Sequence, residues 1–243
     1  MALKLTEKQW LTWSTWECLH RHLLAEGRPA SDRKMRLFGV ACCRRVWHLL
    51  PDDPRPRNAV LIAKRFADGL ASAEELAAAL DDNTPLRTPV LSSPESISHA
   101  FSATDCVVEA DLFFGSQEAA SHAAEAVACA AGEAVDGDGY DGAWKVARSR
   151  EEEVQCRLLR DIIGPSPCQP PPAPNPSWLA WNEGVIPKLA QAIYDECAFD
   201  RLPILADALE DAGCDNPAIL AHCRSGGEHV RGCWVVDLLL GQS

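Results

Sequence analysis

Seven of the fourteen residues at positions 164–177 are proline, and no other feature limits this chain so strongly. Proline fixes φ and removes a backbone donor, so neither helix nor strand persists through such a stretch. The segment divides the chain into an N-terminal part, 1–163, a linker, 164–177, and a C-terminal part, 178–243, of 66 residues. A unit that short has a thin core of its own and is expected to pack on the larger part.

On both sides of the linker Ala, Leu, Glu and Arg dominate, and the alternating Val/Ile/Thr pattern of strands is almost missing. The expected fold is therefore all-α: a multi-helix N-terminal domain plus a small C-terminal helical module. Apolar spacing predicts helices over 7–26, from a cap at Ser31 or Asp32 to Pro51, and over 57–68, 72–80, 95–114, 116–135 and 143–163. Beyond the linker it predicts them over 185–197, 201–212, 217–224 and 229–240. In the second of these helices Met35, Phe38, Cys42, Val46 and Leu49 form one row, and Leu37, Val40 and Trp47 extend the apolar surface around most of the circumference. Such a helix belongs near the centre of the fold.

Two long stretches carry a family resemblance. The first comprises Ala30-Ser31-Asp32-Arg33-Lys34-Met35-Arg36-Leu37-Phe38, Ala41-Cys42-Cys43-Arg44-Arg45-Val46-Trp47-His48-Leu49-Leu50 and Phe66-Ala67-Asp68-Gly69. The second comprises Ala192-Ile193-Tyr194-Asp195-Glu196, the run from Ala198 through Arg201-Leu202-Pro203 to Glu210, and His229-Val230-Arg231-Gly232-Cys233-Trp234-Val235-Val236-Asp237. Together they resemble a multi-copy family of uncharacterised bacterial proteins, with the middle of the chain variable. The resemblance implies relatives rather than a chemistry. The chain departs from that pattern at Gly164-Pro165-Ser166-Pro167 and at Ser225-Gly226-Gly227-Glu228, where other turns are usual.

Charge and cysteine content narrow the function classes. The chain has 23 Lys+Arg against 35 Asp+Glu, a net −12, which disfavours nucleic acid and anionic membranes as partners. Positions 28–65 run against this balance, with ten Lys+Arg and only Asp32, Asp52 and Asp53, a local +7 that leaves −19 elsewhere. The reading needing fewest assumptions matches that basic stretch to an acidic surface, the protein's own or a partner's. No apolar run is long enough to span a membrane, the first residues lack the apolar core of a signal peptide, and the eleven cysteines are an odd number. A cytoplasmic protein with reduced, mostly buried thiols is expected.

The nucleophile-elbow, zinc-protease and phosphate-loop motifs are missing. The expected role is accordingly non-catalytic: a protein-interaction or regulatory module with a protein partner. The crowding of Trp10, Trp13 and Trp16, and of Trp178 and Trp181, suggests a binding surface. The alternative is a zinc-binding protein. His229, Cys233 and Asp237 are spaced to share one row if 229–240 is helical, and Cys223, His222 or Cys214 stands near enough in sequence to add a fourth ligand. The competing structural reading has Cys223 and Cys233 packed as small apolar side chains, His229 capping the helix start and Asp237 paired with an arginine. The same row would allow a Cys233 nucleophile served by His229 and Asp237. Arg224, the Ser225-Gly226-Gly227 loop, His229 and Arg231 would allow an anion at a helix start.

Overall fold

A computed structural model describes residues 6–15, 30–109, 112–135, 137–164 and 172–242. Among them every regular element is helical and no strand is present. The N-terminal part contains α1 (Glu7–Thr12), α2 (Asp32–Arg45), α3 (Pro54–Ala67), α4 (Ala73–Val90), α5 (Glu95–Val108), α6 (Leu112–Glu133) and α7 (Tyr140–Ile163). The C-terminal part contains α8 (Pro176–Ala180), α9 (Val185–Glu196), α10 (Leu202–Asp211), α11 (Pro217–Arg224) and α12 (Trp234–Leu240).

Helix α2 is the central element that its apolar pattern predicts. Ser31 caps it by accepting from the Lys34 N–H, and Met35 through Cys43 are buried without interruption. Helices α3, α5, α6 and α7 all pack against it. Buried in that run is Arg36, whose guanidinium donates to the Val107 carbonyl at 2.5 Å and the Glu109 carbonyl at 3.1 Å. These carbonyls lie at the end of α5, where a helix leaves acceptors unpaired and its dipole favours a cation. The charge thus serves as an internal C-terminal cap.

Several boundaries differ from expectation: the helix predicted to reach Pro51 ends at Arg45 and the one predicted over 95–114 ends at Val108, and three others have an identifiable cause. The predicted helix over 7–26 ends at Thr12, and Trp13 is extended; Trp16 lies outside the described residues. Tertiary bonds take over here: Arg160 donates to the Trp10 carbonyl at 2.8 Å and to that of Trp13, and the Trp10 indole donates to the Gly164 carbonyl at 3.1 Å. Helix α4 runs past the predicted stop at 80 and through Pro85 and Pro89. Most of its second half faces solvent, where carbonyls that proline cannot serve are open to water. Its inner face is tied down by Asn83 and Arg87, each 2.9 Å from Asp105 on α5. The linker also ends early: Asn175 caps α8, and Pro176 takes the first turn, where a missing N–H costs nothing.

Buried apolar side chains fall into two clusters, one spanning positions 10–162 and one spanning 178–239. The seam between the parts is largely polar. Arg33 donates to Asp237 at 2.7 and 3.2 Å, to the Tyr194 hydroxyl at 2.7 Å and to Gln242 at 2.6 Å. Asp68 accepts from the Tyr194 hydroxyl and, at 3.1 Å, from Arg231, whose guanidinium lies 4.1 Å from the centre of the Tyr194 ring. Arg45 forms a two-pronged pair with Glu151, at 2.5 and 2.9 Å, and reaches Glu228 at 3.0 Å. The basic stretch is therefore matched in part by acidic groups of this same chain.

Gly232 sits in the seam at φ +94, and a Cβ there would come within 3.0 Å of Leu37 and 3.6 Å of Ile162. Gly213 has a similar φ of +85 with nothing within 4 Å. Gly213→Ala is expected to cost only the left-handed backbone term, about 1 kcal/mol. Gly232→Ala should cost about 1–2 kcal/mol more, because it also presses on α2 and α7. Urea midpoints of the two variants measure the difference directly.

Candidate metal centre

The C-terminal candidates do not form a helical row. Gly232 holds a left-handed conformation, Cys233 is the N-cap of α12, and helix begins only at Trp234. His229 and Val230 precede it as irregular chain. The expected helix over 229–240 is thus shortened from its start, and His229 caps nothing.

A different grouping replaces the row. Asp161 from α7, His222 from the last turn of α11, His229 from the following loop and Cys233 at the start of α12 each offer one donor atom, and these atoms all lie within 4.8 Å of one another. The His222 Nε2 is 3.2 Å from the Cys233 Sγ and 3.1 Å from the Asp161 Oδ1. The His229 Nδ1 is 2.6 Å from that same oxygen. The two imidazoles meet edge to face, ring centres 4.8 Å apart.

The loop geometry explains the convergence. Ser225 ends α11 by donating its backbone N–H and its hydroxyl to the His222 carbonyl, at 3.1 and 2.7 Å. This turns the chain back so that 229 returns beside 222. The outer nitrogen of His229, Nε2, lies 3.2 Å from the Ser225 hydroxyl and 3.4 Å from the Ser225 carbonyl. A proton on Nε2 leaves Nδ1 as the inward lone pair, the arrangement that orients metal-binding imidazoles. The other Asp161 oxygen accepts the Val230 N–H at 2.9 Å, which aims Oδ1 at the cluster.

Burial sets the electrostatics. It opposes charge on Asp161, but hydrogen bonds from His222 and His229 outweigh it and hold that carboxyl below its ordinary range. Burial also disfavours charge on His229, and Asp161 reverses the balance, raising its affinity for a proton. The Cys233 thiol is pushed far up, first by burial and then by the Asp161 charge. The relay of Cys233, His229 and Asp237 does not form, because Asp237 is turned to Arg33; a divalent ion is the partner that would favour the Cys233 thiolate.

Of the four expected ligands, His229 and Cys233 are brought into this cluster, and Cys223 and Asp237 are not. Cys223 is buried among the apolar side chains of the C-terminal core, and burial pushes its thiol up to about 12. Cys214 is buried in the same core. Asp237 turns the other way, to Arg33 and to Lys34 at 3.7 Å, which is the arginine pairing the structural reading gave it. Asp161 went unnoticed in sequence, although a carboxylate inside Leu158-Leu159-Arg160-Asp161-Ile162-Ile163 was the available signal. The anion site at the 225–227 loop does not form either. Arg224 is taken by Asp207 at 2.8 Å and Glu210 at 2.6 Å, and no helix starts behind the loop.

None of the described tryptophans is fully exposed. Trp10, Trp178 and Trp234 are buried, and Trp13, Trp47, Trp144 and Trp181 are partly covered. A second group, His99, Glu125 and Cys129, also has three donors within reach of one another. There Glu125 is paired with Arg148, which compensates the charge a cation would need.

No protein-family model, curated protein or solved structure matches this chain. The chemistry is therefore read from the side chains themselves.

Proposed function

We propose that this chain is a zinc-binding protein in which the ion fastens the C-terminal helices to α7. One observation carries the reading: a carboxylate, two imidazoles and a thiol, drawn from four separate segments, bring one donor each to a common point. Two donors about 2.1 Å from one ion at the tetrahedral angle stand about 3.4 Å apart. The pairs His222–Cys233 at 3.2 Å and His222–Asp161 at 3.1 Å are close to that spacing, whereas His229 and Asp161, at 2.6 Å, would move apart to admit the ion. The mixed nitrogen, oxygen and sulfur set suits zinc better than calcium or magnesium, which take oxygen.

Four protein ligands complete a tetrahedron and leave no position for substrate. The role this reading gives the ion is therefore structural. Protein purified without chelator is expected to hold about one zinc per chain by elemental mass spectrometry. Cys233→Ala and His222→Ala, checked for helix content by circular dichroism, should lose it. Cobalt substitution should add tetrahedral ligand-field bands and a thiolate charge-transfer band that Cys233→Ala lacks. Metal-free, fully folded wild-type protein that does not take up zinc on addition would end this reading.

A further inference from the structure

Beside the candidate metal centre, at the seam between the two parts, lies a cavity of about 280 Å³. Its apolar lining includes Leu37, Val40, Val230 and Phe199. Four basic side chains also line it: Arg44, Arg45, Lys64 and Arg231. The single lining carboxylate, Glu228, is engaged by Arg45, and Arg231 is engaged by Asp68. Arg44 and Lys64 are left over. Among the described residues neither has a carboxylate within ion-pair distance; Arg44 lies over the Trp47 ring at 5.6 Å. Burial, and then the charge of Arg231, hold the Lys64 ammonium below its ordinary range, with Arg44 adding to the same effect. Like charges gathered around a partly apolar hollow are a standing cost that an anion removes.

We propose that this cavity binds a small organic anion, a carboxylate or phosphate head carried on an apolar body, with Arg44 and Lys64 meeting the head and Leu37, Val40, Val230 and Phe199 enclosing the body. The charge comes from the local excess of cations in a chain that is acidic overall. The size matches the lower end of small-molecule sites. The inference goes beyond the zinc reading and does not rest on it: the metal ligand His229 also lines the cavity, but the head is assigned to Arg44 and Lys64 alone.

Cys197 lines the same cavity and is exposed, which makes it a built-in reporter. The test is its alkylation in the full chain by iodoacetate, an anion, and by iodoacetamide, its neutral analogue, followed by peptide mass spectrometry. The rate ratio of iodoacetate to iodoacetamide should be about tenfold higher in the wild type than in an Arg44→Gln/Lys64→Gln variant, and should fall as salt is added. Octanoate and phenyl phosphate should slow both reagents, and octylamine should not. Protection by octanoate alone would assign a carboxylate head, and protection by phenyl phosphate alone a phosphate head. An equal ratio in wild type and variant, or protection by neither anion, would overturn the proposal. Both side chains reach solvent, so the double variant is expected to fold; Arg44→Gln alone supplies the same comparison at smaller effect.

Discussion

Asp237→Ala is expected to lower the free energy of unfolding by about 3 kcal/mol, near the low end for breaking a buried ion pair. Asp237 is 1 % exposed and is the carboxylate against which both Arg33 and Lys34 are set. Burial alone would depress the charge on Arg33, and the bonds to Asp237 and Tyr194 raise it instead, so the guanidinium depends on those partners. With Asp237 gone, Arg33 keeps Tyr194, Gln242 and a longer contact to Asp68 at 3.5 Å, which is why the loss stays at the low end. The double change Arg33→Met/Asp237→Leu should recover much of it, because an apolar pair of similar volume removes both desolvation costs together. Urea unfolding of the wild type, Arg33→Met, Asp237→Leu and the double variant closes the cycle, with Asp237→Ala measured beside them. A single Asp237→Ala loss under about 1 kcal/mol would show that this pair does not hold the seam.

Metal removal should have an effect of similar size. An ion that binds only the folded chain stabilises it by about 4 kcal/mol when its free concentration is a thousand times the Kd. For a chain of this length each kcal/mol moves Tm by about 2–4 °C, so chelation is expected to lower Tm by about 10 °C. Asp161→Asn should start from a lower Tm and show no response to chelator. Scanning calorimetry with and without chelator measures both. An identical Tm in the wild type under the two conditions would contradict a structural ion. The result is independent of the Asp237 cycle, because Asp237 faces Arg33 and not the metal ligands.

Local patterns in the chain were a good guide to which segments are helical and a poor guide to how they meet. The central position of α2 was legible because its apolar residues cover nearly the whole circumference, and its Ser31 cap because the oxygen stands where the first turn needs an acceptor. The extent of α4 was not legible. Two prolines argue against helix, and what holds it is Asp105, a residue on another helix. The metal candidates show the same division. His229 and Cys233 were found by residue type, but the geometry that grouped them assumed helix through Gly232, whose left-handed φ breaks it. Asp161 lies 61 positions before His222, and only the packing of α11 and its loop on α7 brings the two together. Spacing rules see partners within a turn or two; they carry no information about partners that arrive from another element.

The polar seam described above also has a mechanical meaning. Two greasy cores joined mainly through guanidinium, phenol and carboxylate groups, with local apolar contact at Gly232 and Val230, bare less oily surface on parting than either does on unfolding, so partial opening at this joint carries a smaller heat-capacity change and a shallower denaturant dependence than global unfolding. Amide protons in α9 to α12 would then exchange through a cheaper opening than those in α2, which lies at the middle of the larger core.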